Sequence, residues 1–132
     1  LTGLTVAYTP TTETSKLLII AVVPWECSSG TMDAMIRFTK GGQPLSTGDD
    51  PSKTQGSYDT SGLQGFMRTA TSQYQHSHIH HIVYEPKATG AITFGMEVMS
   101  PTASQTIKIN SGTTSAAYHN NAVSQLMIIE VK

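Results

Sequence analysis

The histidine-rich segment Gln75-His76-Ser77-His78-Ile79-His80-His81 is the part of this sequence best suited to chemistry. In a β-strand, His76, His78 and His80 would share one face, with successive side chains on that face about 6.6–7 Å apart. Two such imidazoles can chelate one metal ion, because neutral histidine is a common ligand of zinc, nickel and iron. We therefore predict a metal site at His76, His78 and His80.

Two other interpretations of this segment are open. The same histidines could form a polar strand face, at the surface or in a wet subunit interface, or an interface that responds to pH. His81 would lie on the opposite face with Ile79 and Val83. We expect it to be a hydrogen-bonded interior histidine rather than a metal ligand.

Three aromatic residues are candidates for stacking on a sugar ring. Trp25 follows Pro24 at the end of a predicted strand, while Tyr58 and Tyr118 lie in predicted loops. We predict a ligand-binding role for Trp25, Tyr58 and Tyr118. The alternative is that these rings fill the edges of the core or an interface between subunits.

The sequence predicts no catalytic site. The carboxylates are sparse, and no spacing among them indicates the paired acids of a glycosidase. The Gly-x-Ser-x-Gly motif of serine hydrolases is absent, and Gly41-Gly42 alone indicates a turn rather than a phosphate-binding loop. Asp49, Asp50 and Asp59 lack the spacing of a calcium-binding loop.

The overall composition excludes several kinds of partner. The formal net charge is -1, so there is no electrostatic footprint for nucleic acid or for an anionic membrane. No apolar run reaches the roughly 18 residues of a transmembrane helix, which argues against membrane insertion. The single cysteine, Cys27, rules out an intrachain disulfide. The length of 132 residues suits one domain over residues 1–132.

The elements that must position these residues are strands. Two apolar runs, the continuous Leu17 to Val23 (ended by Pro24) and the mainly apolar Gln125 to Val131, predict buried strands. Met32 to Phe38 and Ile92 to Val98 alternate with the period of half-buried strands. Weaker patterns predict further strands, and residues 46–62 read as a long surface loop with a short strand near Tyr58. About eight or nine strands without a helix predict an antiparallel β-sandwich or jelly roll.

Several short blocks of the chain resemble a known domain. They are Gly3 to Pro10 with Ser15-Lys16, Ala34 to Phe38, Gly42 to Leu45 with Gly48-Asp49, Ile82 to Pro86, Thr106 to Asn110, Ala117-Tyr118, and Ser124 to Val131. Together they are similar to a jelly-roll structural domain of tailed-phage virion proteins. The histidine strand departs from that pattern, in which aromatic and aliphatic residues are expected.

The resemblance implies a homotrimer of the tumour-necrosis-factor-like kind, located in the virion. It also implies a fibre or tail-tip module that contacts other virion proteins, and a host-surface glycan through its loops. Fibre trimers of this kind use His-x-His pairs around the threefold axis, where six nitrogens suit octahedral iron or nickel. No catalytic residues come with the resemblance.

Two alternatives to this function are open. One is a capsid decoration or cement protein with the same jelly roll, and the other is a cellular carbohydrate-binding β-sandwich. A trimer makes a structural prediction, because some apolar strand faces should be exposed on an isolated protomer and covered between subunits. We also expect the first long strand and the last strand to be neighbours.

Overall fold

The computed structural model describes residues 4–27, 32–45, 54–55, 58–59, 63–69, 76–100, 106–110 and 123–132, with the side chains of 27, 32–33, 54–55, 58–59, 63–69 and 76 left out. The strands are β1 Thr5–Tyr8, β2 Lys16–Cys27, β3 Met32–Lys40, β4 Gln43–Pro44, β5 Thr54–Gln55, β6 Tyr58–Asp59, β7 Leu63–Thr69, β8 His76–Tyr84, β9 Ile92–Met99, β10 Ile107–Ile109 and β11 Gln125–Val131. Eight of them have three or more residues, in agreement with the predicted number. The described part of the chain contains no helix, and hence no helix able to cross a membrane.

The strands form a β-sandwich of two antiparallel sheets, as predicted. The β3 sheet runs in the order β1-β9-β3-β4, with β7 also paired to β3. In the β2 sheet, β8 lies along one side of β2, while β11 and β10 follow one another along its other side. The strands β5 and β6 pair with each other in the segment predicted as a loop, which places a short strand at Tyr58 as expected.

The core lies between the two sheets and follows from alternation along the strands. Alternate side chains of β2 point inward and are fully or almost fully buried, and so are those of β3 and β9. They are Leu17, Ile19, Ala21, Val23, Trp25, Ala34, Ile36, Phe38, Ile92, Phe94 and Met96. The removal of this apolar surface from water is the main driving force that holds the sheets together.

The central position of β2 brings the two ends of the chain together. Lys16 to Val22 pairs with Gln125 to Val131, so the first long strand and the last strand are neighbours, as predicted. On its other side, residues 17–25 of β2 pair with the histidine strand β8. β2 therefore fixes the position of every residue on this sheet that the sequence analysis singled out.

The prediction that Pro24 ends the first long strand is wrong, because β2 continues to Cys27. The N–H of Asn110 donates to the carbonyl of Pro24 at 3.1 Å, so the polar groups of Pro24 face the β10 side. Pairing with β11 stops at Val22, and pairing with β10 starts at Trp25. The missing N–H of Pro24 therefore falls between two partner strands, where the ladder needs no donor.

The predicted turn at Gly41-Gly42 is confirmed and connects β3 to β4. Both glycines have positive φ values, 58° and 78°. This combination is the one that a two-residue type I′ hairpin requires, and glycine adopts it at little steric cost.

Candidate assembly surface

The outer face of the β2 sheet is apolar, and we call it the apolar outer face. Three of the four strands contribute one row of side chains each: Leu18, Ile20 and Val22 from β2; Ile79, His81 and Val83 from β8; Met127, Ile129 and Val131 from β11. The polar Gln125 of β11 continues the last row opposite Val22. Ile79 is 70% exposed and Met127 is 51% exposed. An outer sheet face in contact with water normally carries polar side chains, so this composition calls for an explanation.

All of the exposed large hydrophobic side chains in the described part of the chain belong to this sheet or lie directly before it. They are Ile79, Val83, Val123, Met127, Ile129 and Val131. Scattered exposed hydrophobic residues are normal on a soluble protein, whereas a contiguous patch marks an interaction surface.

The outer face of the β3 sheet provides the contrast within the same molecule. Thr5, Ala7 and Thr93 are exposed there. Arg37 and Glu97 face each other across β3 and β9, and the guanidinium Nε donates to the carboxylate at 2.7 Å. Met35 and Met99 also lie on this face, but Met35 is buried and no large hydrophobic side chain described there is exposed, so the two outer faces differ in composition.

One ion pair lies at each end of the apolar outer face. At one end, the ammonium of Lys16 lies 3.5 Å from the carboxylate of Glu85. At the other end, the ammonium of Lys108 lies 3.6 Å from the buried carboxylate of Glu26. Each pair places one positive group next to one negative group.

The structure shows which side of the histidine strand β8 faces the interior, and this differs from the prediction for His81. His78 and His80 point toward the interior, where the rings of His78 and His80 stack with centroids 6.2 Å apart. The Trp25 ring lies 6.0 Å from that of His78. His81 is exposed on the apolar outer face, so the prediction of an interior histidine there is wrong.

The register between β8 and β2 explains why His80 can be buried. His80 lies opposite Ala21, whose small side chain leaves room for an imidazole. His80 is only 9% exposed, and its Nε2 atom has no hydrogen-bond partner among the residues that the structure describes. Burial lowers the pKa of His80, and the nearby imidazoles of His78 and His81 lower it further. The neutral form is therefore favoured, which is also the form that can bind a metal.

The predicted metal site is brought together only in part. His78 and His80 are adjacent on the inner face, while the backbone of His76 is opposite Trp25 and its side chain lies outside the described residues. Among the side chains that are described, no group of three or more His, Cys, Asp or Glu residues is arranged to hold a metal ion. The metal site thus stays a prediction.

The three predicted aromatic ligand-binding residues are in different situations. Trp25 is 1% exposed and belongs to the core, which fits the alternative that its ring fills the interior. Tyr58 lies in β6, but its side chain is outside the described residues, as is the whole of Tyr118. The predicted role in ligand binding therefore rests on Tyr58 and Tyr118.

The sequence analysis missed a cluster of hydrogen bonds around the carboxylate of Glu130. These bonds connect the two sheets. The hydroxyl of Tyr8 in β1 donates to one carboxylate oxygen at 2.8 Å. The N–H and the hydroxyl of Thr11 donate to the other at 2.8 and 2.9 Å. A hydrogen bond from Ser15 and those from Thr11 and Tyr8 lower the pKa of Glu130 to about 2. No local motif reveals this cluster, because its partners lie more than a hundred residues away in sequence.

Comparison with known proteins adds no relative to this description. No protein-family model, no curated protein and no solved structure matches the chain.

Proposed function

We propose that this protein is a virion structural protein that assembles as a homotrimer, within a fibre or tail-tip module. The apolar outer face of the β2 sheet carries this proposal. An exposed apolar surface is unfavourable in water, and covering it with another protein surface removes that cost. A sandwich with one polar and one apolar outer face is suited to work as a subunit of an assembly.

The resemblance of the sequence to phage virion domains supports the location. The closing block of that resemblance, Ser124 to Val131, contains β11, which contributes Met127 and Ile129 to the apolar outer face. The closing block of the resemblance and the apolar outer face therefore overlap at β11.

Contact with a host-surface glycan is the less supported part of the proposal. Sugars stack on exposed aromatic rings, and no described aromatic side chain is more than partly exposed. A glycan site would depend on Tyr58 and Tyr118.

The mass of the protein in solution tests the assembly. Light scattering after size-exclusion chromatography should give three times the chain mass of 14.1 kDa at micromolar concentration. A single-chain mass throughout that range would overturn the proposal.

A binding comparison separates the fibre module from the capsid decoration protein. Labelled trimer is mixed with purified capsids that lack the protein and, separately, with host cells. Binding to cells alone supports the fibre or tail-tip module, and saturable binding to capsids alone supports the decoration protein.

The metal content of the protein tests the histidine site independently of the assembly. Protein purified without an affinity tag should contain zinc, nickel or iron in a stoichiometric amount, and His78→Ala should lose it. The absence of stoichiometric metal at neutral pH would overturn the metal prediction and leave the structural role intact.

A further inference from the structure

The two strands that flank β2 on the apolar outer face, β8 and β11, each carry an exposed apolar residue opposite the same residue of β2. Val83 of β8 and Ile129 of β11 both lie opposite Leu18 of β2. Both side chains are exposed. Since β2 lies between them, their backbones are about 10 Å apart within one chain.

The chemistry of the face fits a second copy of this chain. Its charged ends are already paired as Lys16 with Glu85 and Lys108 with Glu26, so two copies bring no unpaired like charges together. His81 is the one ionisable side chain among the rows that β2, β8 and β11 present between those ends. A strongly charged partner would find no counter-charge here.

From this geometry we infer that three copies close into a ring in which β8 of each copy packs against β11 of the next. Leu18, Ile20 and Val22 of β2 face the threefold axis in this arrangement. The inference rests on the proposed function and specifies its interface. The contact is heterologous, because two different strands meet, and the number of copies in the ring is that of the proposed homotrimer.

The size of the face favours a ring over a simple face-to-face pair. Three strands at about 4.8 Å spacing and seven residues at about 3.3 Å rise give a flat area of roughly 350 Å². A standard interface buries about 800 Å² of accessible surface on each partner. In a ring, the edges of β8 and β11 also meet, which adds buried surface on both flanks of every copy.

Cysteine cross-linking tests the contact between β8 and β11. The double variant Val83→Cys/Ile129→Cys is made in a Cys27→Ser background. A disulfide between these two positions of the same chain is excluded, because Cα atoms about 10 Å apart exceed the reach of a disulfide. Mild oxidation should therefore link three chains covalently, seen as a trimer on a denaturing gel without reductant.

The controls separate this inference from the proposed function. Val83→Cys alone, Ile129→Cys alone and Thr93→Cys on the polar face of the β3 sheet should all stay single chains on the same gel. The double variant Val83→Cys/Met127→Cys tests a register in which β11 of the next copy is shifted along β8 by one same-face position, which is about 7 Å. Circular dichroism checks that each variant is folded.

Each outcome leads to a different conclusion. A covalent trimer from either double variant supports the ring. A trimeric mass in solution without cross-links from either pair, or dimers from the single variants, overturns the ring and leaves the proposed function standing. A single-chain mass for the wild-type protein overturns both.

Discussion

Glu130 shows how one side chain can join the two sheets and both ends of the chain. Its carboxylate accepts hydrogen bonds from Tyr8 in β1 and from Thr11 in the turn that follows. Because β1 belongs to the β3 sheet and β11 to the β2 sheet, these bonds connect the sheets at their edge. Bonds to an ionised carboxylate are stronger than neutral ones, which suits this residue to a structural role.

We expect Glu130→Gln to lower the melting temperature at neutral pH and to flatten the acid dependence of stability. The folded-state pKa of about 2 lies below the ordinary value of 4.5. The stabilisation is therefore complete above about pH 4.5 and is lost as the pH falls toward 2. Thermal melts between pH 7 and 2, at one protein concentration, measure this, and Glu13→Gln at an exposed position is the control. Parallel pH profiles for wild type and Glu130→Gln would contradict it.

His80 predicts a second and separate pH dependence. Burial lowers its pKa below the ordinary 6.5, so the unfolded chain takes up a proton at a higher pH than the folded chain does. Stability is complete above about pH 6.5 and falls as the pH drops through the folded-state value. His80→Leu should reduce the difference in urea midpoint between about pH 7.5 and 5.5. An unchanged difference would assign the effect to another group.

At the scale of the elements, Gly95 is a position where an added side chain would collide with both neighbouring strands. Gly95 of β9 lies opposite Thr5 of β1 on one side and Thr39 of β3 on the other. A Cβ atom added there would lie 2.9 Å from Oγ1 of Thr39 and 3.2 Å from Cγ2 of Thr5. A side chain at Gly95 would therefore force the side chains of Thr39 and Thr5 to shift.

Gly95→Val should destabilise the fold by about 1–3 kcal/mol, because the added methyl groups overpack this surface. Gly90→Ala is the control, since no described atom lies within 4 Å of its added Cβ and its φ is not in the left-handed region. It should change stability by less than about 0.5 kcal/mol. Urea unfolding measures both, and equal effects would show that Gly95 does not limit the spacing of the strands.

The sequence predicts where the strands lie better than it predicts which face of each strand points toward the core. Alternation identifies which residues of β8 share a face, but it does not say which face meets the core. Ile79 and Val83 suggest an inward face by their type, whereas His78 and His80 are the residues that point inward. That choice is made by the other inward residues of the strand, Ile82 and Tyr84, and by the space opposite Ala21.

At the scale of the whole molecule, the asymmetry of the two outer faces is the property from which the function is argued. The expectation that some apolar strand faces would be exposed on a protomer could be stated from sequence alone. The identity of the exposed apolar face could not be predicted from the sequence, because this face is formed by the arrangement of β8 and β11 on either side of β2. Sequence patterns locate a strand, whereas a surface is made by residues from several strands.

A single charge in the middle of the apolar outer face tests whether this surface holds the assembly together. Met127 lies opposite Ile20 of β2, which lies opposite His81 on its other side. Because Met127 is exposed on the protomer, Met127→Glu should leave the fold intact, whereas assembly would bury an unpaired carboxylate in every copy at a cost of several kcal/mol. Light scattering should then give the single-chain mass. Thr93→Glu places the same charge on the polar face of the β3 sheet and should keep the wild-type mass. If Met127→Glu keeps it as well, the apolar outer face is not the surface that joins the copies.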